Sequence, residues 1–360
     1  MHCLNNMDRI ILKIDLVLDM IRLYEFKGKD FYYHEVFETN AEKIASLVIN
    51  RDVSFFIKIF ALDITEHRLK LILEKNATPK NKTEMFADNL RKSFIYLHSA
   101  ISNFELLPNV IQDFANMIYK GVDKIAYKEE ITTSHLGLTE RKITLKRNDL
   151  EELTNQFLEK LASKNFELTL LITNFYVDFI NMQVFRNHNE EIGLILLYIL
   201  LFKEKFEPFR FASFFEAYFN NISSYKKATM QASFNWEEGY SQTEPLNRQI
   251  IKTLLECYQK IEHDMEDYLF DQNVKKRDFL ENAIINGKEI FTKEELVKKF
   301  PYVSISTIDK TLKRLKDENK IRPLGTGRSA KWIRLVKPPE KFRRENYQFT
   351  IDDFPSEETS

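Results

Sequence analysis

Residues 183–191 bring amide, imidazole and carboxylate side chains together directly before the most apolar stretch of the chain. The segment contains Gln183, Asn187, His188, Asn189, Glu190 and Glu191, and the 11 residues from Ile192 to Phe202 that follow are uncharged. This pattern predicts a polar loop leading into a buried helix that begins near Ile192. The first turn of a helix binds anions through its backbone N–H groups, usually beside small residues that let a phosphate approach closely. Two glutamates occupy that place here, which argues against a working phosphate site.

The titratable residues of this segment have more than one interpretation. Glu190 and Glu191 could form a solvated first helical turn, where the helix dipole favours negative charge. His188 could act as a general base, because a neutral imidazole accepts a proton near neutral pH, or it could be an exposed loop residue without a chemical role. Phe185 is expected to pack in the core.

The elements around this segment are predicted to be mainly α-helical. Only 8 glycines and 9 prolines occur in 360 residues, too few for the turns of a sandwich, a barrel or a doubly wound sheet. Helical periodicity extends from Met7 to about Lys120 and resumes at Arg147. Between these stretches, residues 124–128 and 141–146 resemble short strands around a turn, which predicts a small β-hairpin.

The last module of the chain differs from the rest in charge. From Lys275 to Arg344 there are 20 Lys and Arg against nine Asp and Glu, a net charge of +11, whereas the whole chain carries −1. Such asymmetry indicates an anionic partner for this module alone. Helix, short strand, helix, turn, helix and a glycine-tipped hairpin follow one another, the order typical of a winged helix-turn-helix domain.

The third helix of this module is predicted to enter the major groove of duplex DNA. Its apolar residues Ile305, Ile308, Leu312 and Leu315 form one stripe. Thr307, Lys310, Lys313 and Arg314 lie on other faces and are the candidate DNA contacts, with Arg328 at the tip of the predicted wing. The alternative is that the module docks against protein and that its lysines form a solvated helix face.

Several segments of the sequence resemble segments of Fic family proteins, and they follow one another in the same order along the chain. Residues 183–194 resemble the family motif His-Pro-Phe-x-Asp/Glu-Gly-Asn-Gly-Arg-x-x-Gly/Arg, with Phe185 and Asn189 in register and Gly193 one position before the final Gly/Arg. Downstream, Trp236, Gly239, Thr243 and Pro245 match a turn and a Thr-Pro-led helix that follow the motif in many Fic proteins. Upstream, LEKNATPKNKTE is similar to a connecting segment of related chains, and the basic module is similar to the C-terminal domain of a Fic subfamily. The resemblance implies a helical Fic-like core with a β-hairpin flap and a C-terminal winged helix.

Active Fic proteins transfer AMP from ATP to a protein hydroxyl, and this chain departs from the residues that the reaction needs. The resemblance places Gln183 at the general base, and an amide cannot accept a proton near neutral pH. It places Asn187 at the acidic Mg²⁺ ligand, His188 and Glu190 at two glycines of the phosphate site, and Glu191 at the arginine that pairs with the phosphates. No catalytic residue, cofactor or metal ligand is therefore expected, and ATP with Mg²⁺ would be bound only if activity is retained.

Three functions stay open on these observations. The first is an inactive Fic-fold protein that acts as a DNA-binding regulator or a protein scaffold. The second is an active enzyme that transfers AMP to a protein hydroxyl through displaced residues. The third is a binding module in which weak nucleotide affinity switches DNA binding.

The remaining expectations concern organisation, location and partners. We expect an N-terminal helical region at 1–110, a Fic-like core at 111–271, a winged helix at 272–337 and a flexible tail at 338–360. Cys3 and Cys257 lie far apart in a thiol-poor chain, and the first helical pattern is too charged for a signal peptide, so a cytoplasmic protein is expected. Duplex DNA is the expected partner, with a protein partner or a homodimer possible and no membrane involved.

Overall fold

The computed structural model describes residues 3–133, 141–273, 276–301, 303–325 and 331–335, with the backbone alone described at 39, 130–145 and 267–279 within those ranges. The chain divides into two compact units, Met1–Met265 (unit 1) and Glu266–Ser360 (unit 2). The sequence places the last domain boundary at residue 272, and the helix Glu244–Asn273 extends across both positions. The predicted tail at 338–360 lies outside the described residues.

Unit 1 is built from helices, as the composition predicts. In chain order they are α1 Ile14–Lys27, α2 Asp30–Phe37, α3 Ala41–Ile59, α4 Glu66–Lys75, α5 Lys82–Ala100, α6 Pro108–Ile118, α7 Arg147–Ser163, α8 Leu168–Met182, α9 Asn189–Lys203, α10 Phe214–Asn220, α11 Ile222–Ser233 and α12 Glu244–Asn273. Short 3-10 helices lie at Leu4–Arg9, Glu38–Asn40, Ile101–Asn103 and Glu207–Arg210. The expectation of a mainly α-helical fold is confirmed.

Helices α8 and α9 form the buried centre of unit 1. Every residue of α9 from Ile192 to Phe202 is buried, which accounts for the uncharged run in the sequence. The helix begins at Asn189, three residues before the predicted start, because its polar first turn is also helical. Gly193 lets the two helices approach closely, since a Cβ atom at this position would lie 2.6 Å from Ile180 Cγ2.

The predicted β-hairpin is present between α6 and α7. Strands β1, Glu129–Thr133, and β2, Arg141–Leu145, pair antiparallel, with Glu129 opposite Leu145. The first strand was predicted at 124–128, and this position is wrong by several residues. Ile125 and Tyr127 are instead buried in unit 1, and the Tyr127 hydroxyl donates to the carbonyl of Pro108 at 2.7 Å. The alternating burial has a strand-like cause, because Tyr127 forms an isolated antiparallel bridge with Phe185 in the loop after α8.

A buried carboxylate anchors two distant segments to the centre of α8. Asp178 accepts hydrogen bonds from the backbone N–H groups of Cys3 at 2.8 Å and Leu4 at 3.0 Å. It also accepts one from Trp236 Nε1 at 2.7 Å. The start of the first 3-10 helix and the turn after α11 are thereby fixed to the helix that leads into residues 183–188.

Unit 2 contains three helices and a three-stranded antiparallel sheet among its described residues. They are α13 Lys276–Asn286, β3 Ile290–Thr292, α14 Lys293–Lys299, α15 Ile305–Asp317, β4 Ile321–Pro323 and β5 Lys331–Arg334. The strand order is β3-β5-β4. The buried side chains Leu280, Ile284, Leu296, Ile308, Leu312 and Leu315 contribute to one core of its own. Ile308, Leu312 and Leu315 belong to the stripe that the sequence predicted, whereas Ile305 is 56% exposed.

No helix in the described part of the chain combines the length and the apolar character that a membrane span requires.

Candidate functional site

The predicted motif loop lies between the two central helices of unit 1. Gln183 ends α8 with φ 49° and ψ 58°, and His188 precedes α9 with φ 65° and ψ 25°. Both are in the left-handed region, which costs a residue with a side chain roughly 1–2 kcal/mol. His188, where the resemblance places a glycine, therefore adopts a backbone conformation that favours glycine.

Asn189 and Phe185 hold the loop closed. Asn189 Oδ1 accepts from the Phe185 N–H at 2.9 Å, and Asn189 Nδ2 donates to the Phe185 carbonyl at 2.8 Å. The Phe185 side chain is fully buried, with its ring 5.1 Å from that of Tyr127. These two residues of the motif are therefore structural, and they account for the parts of the pattern that the sequence keeps.

The segment before the hairpin pairs with the loop. The Lys128 N–H donates to the carbonyl of Val184 at 2.9 Å, and the Arg186 N–H donates to that of Ala126 at 3.0 Å. Lys146, just after β2, also donates from Nζ to the carbonyl of Met182 at 2.9 Å. The hairpin and the loop thus form one connected structure at the start of α9.

His188 lies between two carboxylates at this helix start. Its Nε2 is 3.1 Å from Asp123 Oδ2, and its Nδ1 is 3.2 Å from Glu191 Oε1. The imidazole stacks on the ring of Tyr119, with a centroid distance of 4.2 Å and an interplanar angle of 29°. Asn187 Nδ2 donates to the same Asp123 oxygen at 3.3 Å. The chain's own side chains therefore occupy the surroundings of the first turn of α9.

The electrostatics of this cluster favour an imidazolium between carboxylates. The hydrogen bond to Glu191 raises the pKa of His188, and Asp123 adds to the effect. The backbone N–H of Lys124, followed by His188, lowers the pKa of Asp123. Burial acts to raise the pKa of Glu191, but hydrogen bonds from His188 and from its own backbone outweigh burial and lower it. A histidine that holds its proton to higher pH is a poorer general base at neutral pH.

Two other predicted residues of the loop lie at the surface. Gln183 and Glu190 are exposed. No group of three or more His, Cys, Asp or Glu side chains arranged to hold a metal ion occurs among the residues that the structure describes. Residues 183–191 thus place the imidazole of His188 between two carboxylates at the start of α9.

Two participants in this cluster could not be anticipated from the sequence. Tyr119 follows α6, and Asp123 lies in the turn after it, more than 60 residues before His188. Neither has a motif around it, and only the packing of α6 beside the start of α9 brings them to the imidazole.

The predicted DNA contacts of unit 2 fall into three groups. Lys310 and Lys313 are exposed on α15, and Thr307 is partly buried, with its hydroxyl 2.8 Å from that of Ser304. Arg314 faces into the unit, where its Nη2 is 2.6 Å from Glu281 Oε2. Arg328 lies outside the described residues.

Arg314 is thus paired within unit 2, and its contact with DNA stays a prediction. Glu281 of α13 also binds Lys320 Nζ at 2.5 Å. One carboxylate therefore pairs with Arg314 in α15 and with Lys320, which follows that helix. This pairing fixes α15 against α13. An exposed lysine that the sequence analysis did not select, Lys316, lies on α15 instead.

Comparisons with known proteins give a match in structure and none in sequence. No family model matches the chain, and no curated protein matches it. A Fic family protein from Desulfovibrio desulfuricans aligns with a TM-score of 0.52 and 11% identity, over 91% of this chain and 98% of the other.

Two further solved structures are similar at a lower score. A Fic domain containing signaling protein from Bacteroides thetaiotaomicron has a TM-score of 0.48 and 12% identity, over 68% of this chain and 98% of the other. Fic-1 from C. elegans has a TM-score of 0.49 and 11% identity, over 69% of this chain and 74% of the other. On the match to the Desulfovibrio protein, the chain has the Fic fold.

Proposed function

We propose that this Fic-fold chain is a DNA-binding regulator that does not transfer AMP. The observation that carries the proposal is the position of His188 between Asp123 and Glu191 at the start of α9. The loop retains its shape, while the groups that would bind and activate a nucleotide are replaced by groups that bind one another.

The residues present do not fit ATP with Mg²⁺. A phosphate at the start of α9 would meet the carboxylates of Glu191 and Asp123, which lie 3.2 and 3.1 Å from the His188 ring nitrogens. Like charges about 4 Å apart repel by roughly 4 kcal/mol at an effective dielectric of about 20. The His188 ring, stacked on Tyr119, also stands where a glycine would leave room. Charge and volume therefore oppose nucleotide binding together.

The residue at the general-base position of active Fic proteins is also unsuited to catalysis. Gln183 is exposed at the end of α8 and cannot accept a proton near neutral pH. The alternative base, His188, has both ring nitrogens engaged with carboxylates. An AMP-transferring enzyme with displaced residues is thus the less favoured function, and the experiment below distinguishes it.

We expect no transfer of AMP and no stabilisation by nucleotide. Incubation with labelled ATP and Mg²⁺ should label neither the chain nor lysate proteins, and millimolar ATP should leave the thermal midpoint unchanged. Binding at 100 times Kd would add about 2.7 kcal/mol of stability, which a thermal scan detects. Gln183→His alone should not restore labelling, because a base has no use without bound phosphate. Robust labelling that His188→Ala abolishes would establish the displaced-base enzyme instead.

Support for DNA binding comes from unit 2. Lys310, Lys313 and Lys316 are exposed on α15, while the buried face of this helix packs in the core of the unit. Lys293 Nζ of α14 is 2.5 Å from Asp309 Oδ1, which ties the two helices into a helix-turn-helix pair. The element order and the three-stranded sheet suit a winged helix-turn-helix, whose third helix enters the major groove.

The DNA proposal predicts a specific loss of affinity. In the full chain, Lys310→Ala with Lys313→Ala should raise the Kd for duplex DNA at least about tenfold and reduce the slope of log K against log salt by nearly two units. Thr307→Ala should change sequence preference if the hydroxyl reaches a base edge. Arg328→Ala should weaken binding equally for all sequences and flatten the slope by about one unit.

Fluorescence anisotropy with labelled duplexes at several salt concentrations measures these effects. Lys226→Ala with Lys227→Ala is the matched control, because both lysines are exposed on a helix of unit 1. If the folded full chain binds no duplex at about 50 mM salt, where phosphate contacts are strongest, unit 2 is a protein-binding domain.

A further inference from the structure

The outer side of α15 is basic. Lys310, Lys313 and Lys316 are exposed on this helix, and their spacing of three residues places them on one side of it. Of the two aspartates of α15, Asp309 is paired with a lysine of α14, and Asp317 is exposed at the last residue. Three lysines thus share the outer side with one exposed carboxylate. We define Lys310, Lys313 and Lys316 as the α15 basic face.

The sequence that follows the described part of unit 2 carries the opposite charge. Residues 345–360, ENYQFTIDDFPSEETS, contain five acidic residues and no lysine or arginine. We define them as the acidic segment. Clustered like charges often mark an interaction segment, and an acidic one is complementary to a basic surface.

The chain leaves unit 2 beside the end of α15. Leu335, the last described residue, donates from its N–H to the carbonyl of Lys320 at 2.8 Å, and Lys320 lies three residues after the helix. From Leu335 to Glu345 the backbone can extend about 35 Å at roughly 3.5 Å per residue. The 13 residues of α15 measure about 20 Å at 1.5 Å per residue. The acidic segment therefore has enough chain to reach each lysine of the α15 basic face.

We propose that the acidic segment docks on the α15 basic face and competes with DNA for it. The segment belongs to the same chain as the face, and a short connection gives an effective concentration in the millimolar range. A contact with a Kd of about 1 mM, too weak to hold a separate partner, is therefore populated here. The effect on DNA rests on the proposed function, whereas the docking itself can be detected without DNA.

Apolar side chains support the same pairing. The acidic segment contains the aromatic residues Tyr347, Phe349 and Phe354 between its carboxylates. In unit 2, Ile305 at the first residue of α15 is 56% exposed, and Leu335 is 50% exposed. Burying apolar surface adds a contribution that salt does not screen. The segment can thus use charge and apolar contacts together.

Carbodiimide cross-linking of the full chain without DNA tests the docking, because this reagent joins a carboxylate to a lysine amine only where the two are in contact. Mass spectrometry of the monomeric product should place links between the acidic segment and Lys310, Lys313 or Lys316. Lys226 and Lys227, exposed on α11, are the matched control and should give far fewer links. The links should decrease at about 1 M salt, where the screening length falls to about 3 Å.

Neutralising the acidic segment should strengthen DNA binding. The variant that combines Asp352→Asn, Asp353→Asn, Glu357→Gln and Glu358→Gln should lower the Kd for a labelled duplex about three- to tenfold at about 50 mM salt, and less at higher salt. The matched control neutralises four exposed glutamates of unit 1 and so changes the net charge equally. Its changes are Glu25→Gln, Glu35→Gln, Glu42→Gln and Glu74→Gln. This control should leave the Kd nearly unchanged.

Two results would overturn the proposal. One is a set of links spread evenly over the lysines of both units. The other is a Kd that the neutralised segment does not lower, or that the control lowers by the same factor, in a chain that binds duplex. Links to the α15 basic face in a chain that binds no duplex, before or after neutralisation, would support the docking and refute the proposed DNA binding.

Discussion

Replacing Gly193 by alanine should destabilise unit 1 by about 1–3 kcal/mol, and replacing it by valine should cost more. In an exposed helix interior the change to alanine would instead stabilise by about 1 kcal/mol, so the expected sign is reversed. The reason is the contact between α8 and α9. A Cβ atom at residue 193 would lie 2.6 Å from Ile180 Cγ2 and 3.2 Å from Phe179 Cδ1, and both neighbours are buried.

Chemical denaturation in a Trp332→Phe background measures this effect, because Trp236 then reports on unit 1 alone. Gly28→Ala is the control, since a Cβ there makes only ordinary contacts of 3.4 and 3.5 Å. Ile180→Ala removes the opposing methyl group, so the double variant with Gly193→Ala should be more stable than the sum of the single changes predicts. Strict additivity, or a stabilising Gly193→Ala, would show that the helices separate without cost.

Asp52 should make the stability of unit 1 fall as pH rises. Its side chain is fully buried, accepting from Ser213 Oγ at 2.6 Å and from the Phe215 N–H at 3.0 Å. Burial raises the pKa of Asp52 to about 7, despite the opposing effect of these hydrogen bonds. The ordinary value is about 3.9, so the folded state binds this proton more tightly than the unfolded state does.

The sign of the pH dependence follows from that difference. Stability from the protonated carboxyl is fully present below about pH 4 and is lost as pH rises towards 7, where the folded state also ionises. About three pKa units correspond to roughly 4 kcal/mol. Asp52→Asn cannot ionise, so relative to the wild type it should become more stable by about that amount between pH 4 and pH 8.

Denaturation at several pH values gives this difference directly. Asp88→Asn, a change at a partly buried carboxylate of α5 that is paired with Lys92, is the control and should not reproduce the trend. A constant difference between wild type and Asp52→Asn across this range would mean that Asp52 is ionised in the folded state throughout.

The sequence by itself determined the local features of this protein. Helical periodicity and the scarcity of glycine and proline were sufficient to predict a mainly α-helical fold, because both act within a few turns of chain. The uncharged run of α9 identified a buried helix for the same reason. The chemical character of Gln183, Glu190 and Glu191 could also be identified without a structure, since residue type alone decides whether a side chain accepts a proton or repels a phosphate.

Only the tertiary structure decided which distant side chains meet. Asp123 and Tyr119 reach His188 because α6 packs beside the start of α9, and no local pattern encodes that contact. Arg314 and Lys313 are neighbours in sequence, yet Arg314 is paired with Glu281 of α13, whereas Lys313 is exposed. The strand-like pattern at 124–128 corresponds to a single antiparallel bridge between Tyr127 and Phe185, a partner that lies 58 residues away in sequence. Local periodicity specifies the elements, whereas charge pairing across segments depends on how those elements pack.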